Sequence, residues 1–137
     1  MWPIWLSHHN CDEADRCVQM GPYSVCRRCL VIWPIAMLVL ATSFARHLPT
    51  ASGYELAGWL TAPTLEFIAI HSSSLGYKPS RVWLFGTMMG VGAGRLFHRY
   101  LQDPTDPTSW IVMIACAVPA AIAALYYHLI LKNPKGE

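Results

Sequence analysis

The chain has 137 residues, of which 54% are apolar and only 13% charged. Soluble domains average about 25% charged residues, so this chain has too few charges to coat a water-facing surface. That composition excludes disorder, a coiled coil and a nucleic-acid tail, and ten Lys/Arg against eight Asp/Glu leave a net charge of only +2, with no polybasic footprint.

Residues 1–29 read as a polar head that holds four of the five cysteines. Its apolar start, Met1 to Leu6, is too short for a signal peptide and has no positive leader. The three residues directly before Cys11, His8-His9-Asn10, are not small ones, so no lipoprotein signal is read there. The cysteines run Cys11, Cys17, Cys26-Arg27-Arg28-Cys29, with His8 and His9 just upstream. A Cys-x-x-Cys pair supplies two thiolates to one tetrahedral ion, and a second pair of ligands closes the shell. The expected ligands are Cys11, Cys17, Cys26 and Cys29, with His9 (or His8) as the alternate. Arg16, Arg27 and Arg28 would offset the negative charge of four thiolates. The head has few large apolar residues beyond its start, and a metal staple is the usual remedy. The cofactor expected is Zn2+ in a structural site with no open catalytic position. Disulfides in an oxidising space, free thiols, and an iron–sulfur cluster or redox dithiol are the other readings. Gly21-Pro22 reads as the turn that joins the two halves.

Four apolar stretches follow, about 30–45, 54–71, 82–98 and 110–131. A spanning helix takes about 20 residues, and only the fourth stretch clears that comfortably. Proline and serine fill the short connections, and short connections favour antiparallel neighbours. Thr108 or Ser109 is placed to cap the last helix. The fold expected is an all-α integral membrane protein, a four-helix transmembrane bundle over residues 30–137 with a small metal-stapled N-terminal head. Three spans are the alternative, with the second stretch re-entrant or buried. For four spans, seven of the ten Lys/Arg fall on the side of the head, second loop and C-terminus, and three on the other. The positive-inside rule then puts both termini in the cytoplasm, in a bacterial inner membrane. Cysteines there stay reduced, which favours metal over disulfides.

Glu66 lies in the second stretch. A carboxylate inside a bilayer needs a partner; Arg95 is the obvious cation, but depth favours Arg81 or His71. Its functional reading is a proton or ion relay, its structural one a polar clamp. Gly86, Gly90 and Gly94 make one smooth helix stripe, suited to close packing within the bundle or to a partner subunit. His71 and His128 are the only histidines at matching depth for a haem or pigment. No nucleophile elbow, phosphate loop, zinc-protease motif or dinucleotide fingerprint occurs, so the chain is not read as an enzyme.

The head resembles the small predicted membrane proteins of domain-of-unknown-function family 2085. The residues that carry the resemblance are His8-His9-Asn10-Cys11, Asp15-Arg16-Cys17 and Cys26-Arg27-Arg28-Cys29, with Arg28 directly before the second knuckle cysteine. Pro63-Thr64-Leu65-Glu66-Phe67, the 72–80 loop, Arg81 and the Gly86–Gly94 helix extend it over roughly residues 8–98. After the knuckle the family often continues Thr-Gly-Ile-Tyr, where this chain reads Leu30-Val31-Ile32-Trp33-Pro34. The resemblance implies a small multi-span membrane protein and no assigned chemistry. The function expected is a structural or accessory subunit of a larger membrane protein complex, in contact with the lipid bilayer and not with nucleic acid. The alternatives are an autonomous transporter or enzyme using Glu66, and a pigment- or haem-binding subunit.

Overall fold

Prolines and polar loops divide the chain in the computed structural model, which describes residues 17–21, 23–72, 78–127 and 129. A two-stranded antiparallel hairpin comes first, β1 (Cys17–Met20) and β2 (Tyr23–Cys26). Four helices follow: α1 (Arg27–Ala45), α2 (Gly53–Ser72), α3 (Pro79–Gln102) and α4 (Pro107–Tyr126). The hairpin adds to the all-helical expectation; runs of four residues are too short to display a period. Gly21 turns it with φ 63°, a conformation open to glycine at little cost.

Local chemistry sets the helix ends. α1 starts at Arg27, so both knuckle arginines and Cys29 sit in its first turn rather than in a separate head. It stops in a paired turn, with His47 N–H donating to Phe44 O (3.2 Å) and Leu48 N–H to Ser43 O (2.9 Å). Ser52 caps α2 by accepting from Glu55 N–H at 3.1 Å. The cap of α4 is Asp106, not Thr108 or Ser109: its carboxylate accepts from Ser109 N–H at 2.9 Å and from Ser109 Oγ at 3.0 Å. Pro107, which has no N–H to satisfy, fills the first helical position.

Sequential helices alternate in direction, yet they are not all neighbours. α1 lies along α3, α3 along α2, and α2 along α4, so the spatial order is α1-α3-α2-α4. Glycine explains the parallel α1–α3 pair. A Cβ added at Gly86 would sit 3.1 Å from Val31, at Gly90 2.9 Å from the Ile32 carbonyl, and at Gly94 2.6 Å from the Ala36 carbonyl. The stripe is therefore filled by α1. Gly92 faces the other way, with Leu60 and Trp59 of α2 against it. Ala51, Leu56, Leu60 and Leu96 form the core between α2 and α3.

The apolar distribution is inverted relative to a soluble domain. Trp33, Met37 and Leu38 of α1 and Ile111, Ile114, Val118, Ile122 and Leu125 of α4 are exposed. α1 and α4 are long and apolar enough to cross a membrane, and only 17% and 11% of their most apolar windows are buried within the protein. A soluble core helix would turn such residues inward. Pro34, Pro63 and Pro119 lie inside α1, α2 and α4. An interior proline costs about 3 kcal/mol in a water-exposed helix but is tolerated in membrane helices.

Candidate functional site

The site begins where the hairpin meets α1. The strand register sets Cys17 opposite Cys26, and both are buried. Cys26 is the residue just before the helix and Cys29 stands one turn on. The Cys29 thiol donates to the Cys26 sulfur. That hydrogen bond is the main reason the Cys26 thiol is held down to about 5, against burial and with help from nearby backbone amides and the Arg28 guanidinium. Cys26 and Cys29 are free thiols. Cys17 is disulfide-bonded, and its partner lies outside the described residues.

Of the expected zinc ligands, the fold thus brings Cys17 to Cys26 and Cys26 to Cys29. Cys11, His8 and His9 lie outside the described residues. Among the described residues, no group of three or more His, Cys, Asp or Glu is arranged to hold a metal. The Cys26/Cys29 pair suits one half of a tetrahedral thiolate site. Cys17 can join it only as a thiolate, after its disulfide is reduced.

Arg28, inside the knuckle, ties this head to the bundle. Its Nη2 lies 2.6 Å from Glu66 Oε2, with the two side chains only 20% and 8% exposed. The partner of Glu66 is therefore Arg28, and not Arg81 or His71. Depth alone pointed to this end of the bundle; which cation faces Glu66 depends on how α1 sits against α2. The guanidinium also lies 5.4 Å from the Phe67 ring centroid. Phe67 stacks on His71 at 4.0 Å, and His71 meets Tyr127 edge-on at 5.6 Å. His71 Nδ1–H donates to the Phe67 carbonyl at 2.8 Å. These contacts run from α1 through α2 to the end of α4.

Two more ionic clamps sit at the opposite end. Arg95 Nε donates to Glu55 Oε1 at 2.9 Å, and its Nη2 to the Pro49 carbonyl at 3.0 Å. Arg99 holds both Asp106 oxygens, at 2.7 and 2.9 Å, and reaches the Ala51 carbonyl. The Arg99 guanidinium keeps the Asp106 carboxyl well below the usual carboxylate range. Each consecutive helix pair thus carries one arginine–carboxylate bridge: α1–α2, α2–α3 and α3 to the cap of α4.

Of the histidine pair considered for a haem, His71 is buried in the aromatic chain above, and His128 lies outside the described residues. His98 is fully buried. It accepts from Gln102 at 2.9 Å and lies edge-on to Phe44 at 4.8 Å, which is a packing role. No family model, curated protein or solved structure matches the chain. The resemblance to family 2085 rests on the residues quoted above.

Proposed function

We propose that this chain is a structural or accessory subunit of a larger membrane assembly, built as a four-span bundle with a head that structural zinc staples when its cysteines are reduced. The observation that carries the reading is how the charges are used. Glu55, Glu66 and Asp106 each hold an arginine of another element. A proton or ion relay needs titratable groups free to change partner; a bidentate or buried arginine pair holds a carboxylate in place. These carboxylates suit clamps between helices better than steps in a pathway.

The outer faces of α1 and α4 supply the surface for lipid and neighbouring subunits. The glycine stripe is not part of that surface, because α1 covers it. The Lys/Arg count favours a cytoplasmic head, whereas a persistent disulfide at Cys17 favours an oxidising side. In the cytoplasm such a bond is transient and redox-active, and zinc binds the reduced form. Zinc, when bound, supplies cross-linking and no chemistry.

A charge swap tests the reading. Arg28→Glu with Glu66→Arg moves the carboxylate to α1 and keeps the pair. A clamp tolerates the exchange: each single variant lowers the yield of folded protein and of co-purifying subunits, and the double variant restores both. A relay through Glu66 would leave the swapped protein folded but inactive in its host, which would overturn the accessory reading.

A further inference from the structure

The glycine stripe of α3 continues into a histidine. Gly86, Gly90 and Gly94 meet Val31, Ile35 and Val39 of α1 in turn, so both helices advance four residues per contact. The next step sets His98 against Ser43. The edge-on contact of His98 with Phe44, at 4.8 Å, places the ring at that end of α1. Ser43 and His98 are both 0% exposed. Each nevertheless keeps a polar atom with no hydrogen-bond partner among the described residues, Ser43 Oγ and His98 Nδ1. Local escapes are closed to both. A helical serine can donate to the carbonyl four residues back, here that of Val39. That carbonyl already takes the Ser43 N–H of the helix and the Thr42 hydroxyl at 3.0 Å, which occupy its two lone pairs. His98 Nε2 accepts from Gln102 at 2.9 Å, so the ring hydrogen lies on Nδ1 and needs an acceptor. Arg95 is three residues before His98, hence its neighbour on the helix surface. Its Nε and Nη2 are held by Glu55 and Pro49, while its Nη1 is buried and has no partner among the described residues.

We propose that a single buried water molecule joins α1 to α3 at this level, accepting from His98 Nδ1–H and donating to Ser43 Oγ. Arg95 Nη1–H supplies the third hydrogen bond. Buried waters make about three such bonds, to polar groups that are otherwise unsatisfied. Two donors and a hydroxyl also suit a small anion, but burial decides for water. Ser43 and His98 are closed to solvent, and the positive charge beside them, on Arg95, is already paired with Glu55 at 2.9 Å. An anion there would be a buried charge without compensation. The water completes a chain from Gln102 through His98 to Ser43, with a branch through Arg95 to Glu55 of α2. It carries the α1–α3 contact one turn beyond the last glycine of the stripe, by hydrogen bonds in place of backbone packing. The site rests on the packing of α1 against α3, and not on the accessory role or on zinc.

NMR of the full chain in detergent micelles, with isotope-labelled histidine, tests it. The His98 ring is the signal lost in His98→Gln or, should that variant not fold, the one that moves in Gln102→Ala. The expected result is an Nδ1–H proton that exchanges slowly with bulk solvent and shows direct cross-relaxation to a bound water. Ser43→Val removes the hydroxyl and fills its space, so it should abolish that peak. The parent spectrum decides even if Ser43→Val fails to fold: no water peak at the His98 Nδ1–H would overturn the proposal. A shift of that proton when bromide or nitrate replaces chloride would overturn it as well, by making the ligand an anion. A water peak unchanged in folded Ser43→Val would overturn the bridge to α1.

Discussion

Replacing Gly94 by alanine probes the glycine that, among the described residues, comes closest to the backbone of another helix. The new Cβ would lie 2.6 Å from the Ala36 carbonyl oxygen and 2.8 Å from Val39 Cβ. Carbon–oxygen contacts between packed helices run about 3.3–3.6 Å, so α1 must withdraw by roughly 0.7–1 Å. The obstacle is backbone, which cannot rotate aside as a side-chain tip can. Overpacking of this kind costs about 1–3 kcal/mol. Alanine also gains about 0.8–1 kcal/mol of helix propensity over glycine. Gly58→Ala is the control, because nothing lies within 4 Å of its added Cβ and only the propensity term remains. The difference between the two variants isolates the packing term, about 1–3 kcal/mol or roughly 5- to 150-fold in the unfolding equilibrium. Reversible unfolding of the purified chain in mixed micelles measures it. Equal stability of the two variants would refute the α1–α3 packing. If Gly94→Ala were stable alone but lost partner subunits, the stripe would be a docking face instead.

Further outcomes follow from the clamps and the thiols. Arg28→Leu should destabilise by about 3–5 kcal/mol, because it leaves a buried carboxylate uncompensated, whereas Arg28→Leu with Glu66→Leu should be near neutral; thermal unfolding in detergent distinguishes them. Asp106→Asn keeps a cap for Ser109 and removes the carboxylate charge that faces Arg99, so it should melt above Asp106→Ala and below the parent. The Asp106 carboxyl is depressed; the stability it adds is complete above the ordinary carboxylate range and is lost only as pH falls through the lowered value. In metal-free protein Cys26 titrates near 5, below the free-thiol value of about 8.5. Its iodoacetamide labelling should therefore persist at pH 6 and fall off below 5, and Cys29→Ala should move that midpoint upward. A tag at Glu137 should be reached from the same membrane side as one at Met1; opposite sides would remove the four-span arrangement.

Much of the helical layout was legible because it depends on local chemistry. The apolar runs and their proline-marked loops predict spans over 30–45, 54–71, 82–98 and 110–131; the first three helices run Arg27–Ala45, Gly53–Ser72 and Pro79–Gln102. Ser52, Pro79 and Pro107 mark helix starts by their own hydrogen-bonding limits. Glu66 announced that it needed a cation, and the Gly86/Gly90/Gly94 spacing announced a close contact. What the spacing could not say was which helix fills the stripe, since α1 and α2 were equally available. The same gap hid the Arg28–Glu66 pair and the Arg95–Glu55 pair, which depend on register between helices rather than on position along one. The hairpin was invisible because two four-residue strands around Gly21 carry no readable period. It matters most for the site, since only pairing of the strands sets Cys17 opposite Cys26.

Gentle purification of the natively expressed, tagged chain under reducing conditions, with elemental analysis and subunit composition read together, tests the central claim most directly. The accessory reading predicts one equivalent of zinc and stoichiometric larger subunits that survive mild detergent. A lone monodisperse chain would contradict the accessory role, and a fully reduced head without zinc would contradict the metal staple.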